Sequence, residues 1–165
     1  MDWVNKVIAH FGEDTKIILM GLSMGAATVL MATELDLPAN VKGVIGDCGY
    51  SVPSDVLRET IKSMKLPVKP VLFLAKVAAR LFGGFDLDGA SAKEALKHCK
   101  IPVLLIHGGK DSIVPCQMGY DNYEACVSEK DMLFVPEAEH AMSYLLNPEE
   151  YTKQVKGFLK KYFYV

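Results

Sequence analysis

Four short runs of mostly apolar, β-branched-rich residues, Lys16–Leu22, Val41–Asp47, Ile101–His107 and Asp131–Val135, are separated by stretches with helical periodicity. Runs that are apolar at consecutive positions, rather than at alternate ones, belong to strands covered on both faces, as parallel strands between helical layers are. The pattern predicts an α/β fold with a mainly parallel sheet of about four strands and flanking helices. The chain of 165 residues, half of them apolar, suits a single domain over residues 1–165 with one core. A domain of this size buries roughly 68–70% of its unfolded surface.

The helices between the runs carry start and stop signals. Trp3, Val4, Val7, Ile8 and Phe11 share one face of an opening helix that Asp2 can cap and Gly12 can end. Helices are predicted over Met24–Leu35 and Gln117–Val127, and a final one starts at Asn147 as N-cap, with Pro148 at its first position and Glu149 and Glu150 in its first turn. Residues 51–89 break the rhythm, because Pro53, Pro67 and Pro70 cut them into helical pieces over Asp55–Lys65 and Val71–Phe82, which Gly83 and Gly84 stop. This segment reads as a helical cap inserted after the second strand. Its apolar second piece either shields a site or belongs to the core. Ser91 to Glu94 form a capping box leading to the third strand.

Charge and composition exclude several function classes. A net charge of −2, with Lys and Arg scattered along the chain, leaves no basic footprint for nucleic acid. The longest apolar stretch, Val71–Phe82, contains Lys76 and Arg80 and falls short of the roughly 20 residues of a membrane span. No signal-peptide pattern opens the chain, so a cytoplasmic location is expected. Cys48, Cys99, Cys116 and Cys126 form no C-x-x-C pair, so free thiols are expected, with neither metal nor cofactor. Asp86 and Asp88 lack the other ligand positions of a calcium loop and read as solvated turn carboxylates.

One motif carries chemistry. In "KIILMGLSMGAATVLMA" a strand runs into Gly21-x-Ser23-x-Gly25 and then a helix, the context in which a serine hydroxyl is exposed on a strained turn. The Met24 amide, at the new helix's N-terminus, is placed to stabilise an oxyanion. A serine nucleophile needs a histidine base and an orienting carboxylate. "IHGGKDSIVP" offers Asp111 after the third strand, and "VPEAEHAMSY" offers His140 after the fourth, both on the edge where α/β sheets bind ligands. Asp47 is an alternative acid. His107 reads as a structural histidine, Cys48 as a bystander, and His10 and His98 as helical residues away from that edge.

On "GLSMGAAT", "PVLLIHGGKDSIVP" and "EAEHAMSYLLNPEEY" the chain resembles the α/β-hydrolase superfamily, specifically the C-terminal part of bacterial serine hydrolases related to carboxylesterases and cell-surface hydrolases. The resemblance implies a partial α/β-hydrolase fold without the family's N-terminal strands, with Ser23 as nucleophile, His140 as base, Asp111 as its partner and the Met24 backbone as an oxyanion donor. A second oxyanion donor would come from a segment before the motif. A small-molecule ester is the implied substrate, with thioester, amide or peptide cleavage as variants of the same chemistry. The Lys16–Leu22 strand, central in the family, would here be an edge covered by a second copy or by an N-terminal fragment. A catalytically silent fragment that serves as an oligomerising or interaction domain is the alternative.

Overall fold

The structure, a computed structural model, describes residues 1–164. Its sheet holds four strands, β1 (Ile17–Leu22), β2 (Val41–Asp47), β3 (Val103–Gly108) and β4 (Lys130–Val135), all parallel and in sequence order. Each strand lies within one or two residues of its predicted run. The register aligns Leu22 with Asp47, Asp47 with Ile106 and Ile106 with Leu133, so the strands' C-terminal ends lie along one edge.

Neighbouring residues of a strand feed opposite layers, which is why the runs are apolar throughout. Val44, Val103 and Leu105 pack with Leu30, Ala92, Leu96 and Cys126 on one face. These partners come from α2 (Met24–Met31), α5 (Ala92–Leu96) and the end of α6 (Cys116–Ala125). Ile45, Leu104, Ile106, Leu133 and Val135 pack on the other face with Phe158 of α8 (Pro148–Tyr162). The Asn147 side chain accepts from the Glu150 amide and Ser91 from the Glu94 amide, so both predicted caps form.

The cap after β2 comprises α3 (Pro53–Ser63) and α4 (Val68–Ala78), which runs into a π-turn over 79–83. Two boundaries correct the sequence reading. Helix α3 starts on Pro53 itself, and α4 runs through Pro70, because a proline in the first turn forfeits no intrahelical bond. Asp86 and Asp88 pair with Arg80 and Lys76 and hold the turn that closes the cap. Leu72 is the buried residue of α4, whereas Phe73, Leu74, Leu81 and Phe82 are exposed, so this piece contributes little to the core.

Helix α1 (Asp2–Phe11) buries none of its residues and leaves Trp3 and Phe11 exposed. Its N-cap is Met1, without a side-chain bond, in place of the expected Asp2. Strand β1 is the outer strand beside β2, with Met20 55% and Leu22 53% exposed.

Candidate active site

Where β1 ends, Ser23 adopts φ 54° and ψ −116° and becomes the N-cap of α2. A non-glycine residue in that region costs about 1–3 kcal/mol and persists only when its surroundings fix it. Here the Ser23 amide donates to the Asp47 carbonyl at 2.8 Å and the Ser23 carbonyl accepts from the Ala27 amide at 3.0 Å. The turn closes tightly because a Cβ on Gly21 would lie 2.2 Å from the Gly25 carbonyl carbon. Gly25 itself faces open space among the described residues, so the second glycine of the motif is not demanded by its neighbours. Met24 opens the helix, where amides have no intrahelical acceptor.

The loops after β3 and β4 are tied to each other before they reach the site. The Gly109 amide donates to the Val135 carbonyl and the Lys110 amide to the Ala138 carbonyl, each at 2.9 Å. A Cβ at Gly108 would come within 2.4 Å of the Ala138 oxygen, so the loops cross at a distance that only glycine allows. Asp111 turns inward on its own backbone, its Oδ1 accepting from the Ile113 and Val114 amides at 3.0 and 2.8 Å. Its Oδ2 meets His140 Nδ1 at 2.8 Å, and His140 Nε2 lies 2.8 Å from Ser23 Oγ. The Asp111 side chain is wholly buried and that of His140 is 15% exposed.

Burial pushes the Asp111 carboxyl up, yet hydrogen bonds from His107, the Val114 amide and His140 outweigh it and hold the group below the ordinary carboxylate range. Asp111 is therefore an anion at neutral pH. Facing it, His140 Nδ1–H donates to the carboxylate. Nε2 is left free to accept the Ser23 hydroxyl proton.

The other candidates fall elsewhere. Asp47 accepts from the Tyr151 hydroxyl at 3.0 Å and makes no bond to His140, while its buried Oδ1 lacks a partner among the described residues. His107 donates from Nε2 to the Val114 carbonyl at 3.0 Å, lies 3.5 Å from Asp111 Oδ2, and packs under Gly119, where a Cβ would strike its ring. It braces the Asp111 loop. His10 and His98 are remote in sequence from this edge, in α1 and just after α5.

Cys48, which follows β2 at φ 49°, lies beside the site, as its place in the sequence predicts. Its Sγ, an Asp111 oxygen and a His140 nitrogen lie within 4.8 Å of one another, a donor set that could in principle hold a metal ion. The chemistry disfavours this. Burial and the Asp47 charge push the thiol up to about 12, and the Asp111 oxygens already accept from the Ile113 and Val114 amides and from His140. A cation would have to displace His140 from Asp111. Sequence patterning gives no sign of the positive φ at Cys48 or at Ala141, the residue after His140.

A parallel sheet flanked by helices, with a serine elbow, an acid and a histidine on the loops after its first, third and fourth strands along one edge, is part of an α/β-hydrolase fold. No protein-family model matches the chain. The esterase Pf2001 of Pyrococcus furiosus superposes with a TM-score of 0.67 at 22% identity, over 98% of this chain and 58% of that one. A monoacylglycerol lipase of Paleococcus ferrophilus superposes with a TM-score of 0.69 at 20% identity, over 96% of this chain and 72% of that one. Among curated proteins, YqkD of Bacillus subtilis (strain 168), described as uncharacterized, is 29% identical over 163 residues, covering 96% of this chain. The chain spans about half (53%) of that relative's length. No helix among the described residues is long and apolar enough to cross a membrane.

Proposed function

We propose that the chain carries the catalytic triad of a serine hydrolase that cleaves carboxylic esters through an acyl-enzyme on Ser23. The observation carrying this reading is the pair of 2.8 Å contacts that link Ser23 Oγ through His140 to Asp111. In acylation His140 Nε2 takes the hydroxyl proton as Ser23 Oγ attacks the ester carbonyl, and the Met24 amide supports the oxyanion. His140 then returns the proton to the departing alcohol. Water, activated by the same imidazole, releases the acid.

Exposed Met24, Ile113, Met142, Tyr144, Leu145 and Leu146 border the three residues in sequence and favour an apolar acyl group. The rate depends on how many oxyanion donors the site completes, since losing one costs about 100- to 1,000-fold. A fluorophosphonate probe should label Ser23 and should fail on Ser23→Ala and His140→Ala. Absence of label on the wild-type chain, alone and with the segment that completes its longer relatives, would refute the reading.

A second reading is a fragment that acts through association. It is favoured by exposed Met20 and Leu22 on the outer strand, beside a helix α1 that buries nothing. A second copy of the chain, or a separate N-terminal piece, would cover this edge. Sedimentation at micromolar concentration separates the cases, and a well-behaved monomer without a partner would count against association.

A further inference from the structure

The catalytic edge uses Cys48 only as a buried neighbour, but two other cysteines meet at the opposite edge of the sheet. Cys99 follows α5 just before β3, and Cys126 caps α6 before β4, so both precede their strands where Ser23, Asp111 and His140 follow theirs. The Ser128 hydroxyl joins them, lying 3.3 Å from Cys126 Sγ and donating to Cys99 Sγ at 3.5 Å. Both side chains sit in the same apolar cluster with Leu96 and Val103. Cys99 also lines a cavity of about 580 Å³, whose wall includes Lys97, His98, Lys100, Glu34 and Asp36. Cys99, itself only 3% exposed, thus belongs to the cavity wall, while Cys126 does not line it.

We propose that Cys99 and Cys126 form a peroxide-responsive dithiol, in which Cys99 takes up oxygen at the cavity and Cys126 closes a disulfide onto it. The Cys99 sulfur, as thiolate, attacks one oxygen of a hydroperoxide. The O–O bond breaks, and the leaving alkoxide or hydroxide takes a proton. Cys99 becomes a sulfenic acid, oxidised by two electrons while the peroxide is reduced. The Cys126 sulfur then attacks the Cys99 sulfur, the S–O bond breaks, and the departing hydroxide takes the Cys126 proton as water. Overall, two thiols and one hydroperoxide give a disulfide, an alcohol (or water) and water.

Electrostatics distribute these roles. A hydrogen bond from the Cys126 thiol, then those from Ser128 and neighbouring groups, outweigh burial and hold the Cys99 thiol below its ordinary range. The same contact with Cys99, followed by burial, pushes Cys126 up. Once Cys99 is a neutral sulfenic acid, the restraint on Cys126 is gone and its attack is released.

The test treats the reduced, folded chain with hydrogen peroxide and maps peptides by mass without reductant. It requires nothing of Ser23, so it stands or falls apart from the hydrolase reading. The expected result is a monomer lighter by two hydrogens, with the Cys99 and Cys126 peptides joined and released by dithiothreitol. Cys126→Ser should stop at a Cys99 sulfenic acid that dimedone captures, and Cys99→Ser should leave Cys126 reduced. Oxidation falling first on Cys48 or Cys116, a Cys126 that oxidises equally fast in Cys99→Ser, or no joined peptide in the wild-type map would each overturn the proposal. The wild-type map decides even where a variant fails to fold.

Discussion

Replacing Asp111 by Asn tests the proposed chemistry at the point where the structure is most specific. The side chain is buried and isosteric with Asn, and its Oδ1 can still accept from the Ile113 and Val114 amides, so the loop should keep its shape. What changes is the atom facing His140 Nδ1 at 2.8 Å, where an acceptor becomes an NH2 donor. The imidazole then prefers its other tautomer, with the proton on Nε2 and aimed at Ser23 Oγ, and can no longer accept from the hydroxyl. In an otherwise intact triad this exchange costs on the order of 10⁴-fold in turnover. At 1.36 kcal/mol per tenfold, that is about 5.4 kcal/mol of barrier. The assay is the second-order rate of fluorophosphonate labelling of Ser23, with hydrolysis of a nitrophenyl ester alongside. Circular dichroism and a denaturation curve would show that the fold is kept. Asp47→Asn is the matched control, because Asp47 bonds to Tyr151 and not to His140. A labelling rate for Asp111→Asn within tenfold of wild type, or a loss as large for Asp47→Asn, would refute the assignment of the acid.

Other outcomes follow from the same geometry. Gly21→Ala should be destabilised by about 1–3 kcal/mol or more, since its Cβ would lie 2.2 Å from the Gly25 backbone, whereas Gly25→Ala should be neutral or slightly stabilising; urea denaturation compares them. Ser23→Gly should relieve backbone strain and raise stability by about 1 kcal/mol while abolishing probe labelling. Burial raises the Asp47 carboxyl above its ordinary value of 3.8 despite the Tyr151 bond. The folded state therefore holds this proton more tightly than the unfolded chain, and the ionised carboxylate lowers stability above the raised value. Asp47→Asn should accordingly melt at a higher temperature than wild type at pH 8, and the gap should narrow as pH falls through that raised value toward 3.8. Phe158→Ala should cost about 3–5 kcal/mol, because the ring fills the cluster between α8 and β2–β4.

The local rules that were legible are those in which chemistry and spacing coincide. Strands apolar on both faces, the capping serine at Ser91, the asparagine and proline that open α8, and the order of Ser23, Asp111 and His140 all rest on neighbours in sequence. The prolines misled at helix starts, where Pro53 and Pro70 lie in first turns that need no amide. Helix α7 (Ser143–Leu146) is too short to show periodicity and was not anticipated. The positive φ of Cys48, Lys65 and Ala141 falls on residues that give no glycine signal, so tertiary context alone imposes it. Which thiols meet was also beyond reading, because Cys99 and Cys126 come together through separate helices converging on adjacent strands.

Strand β2 supplies none of the three reacting side chains, yet it stands between the strand that ends in the nucleophile and the one that leads to the acid. It works as a ruler. Two interstrand steps of about 4.8 Å separate β1 from β3, and Asp47 fixes the Ser23 amide at the last notch. Lengthening or shortening β2 by one residue would slide the alcohol along the edge while imidazole and carboxylate, latched together through Gly109 and Lys110, stay put. The silent strand must therefore keep its count for the edge to hold its spacing.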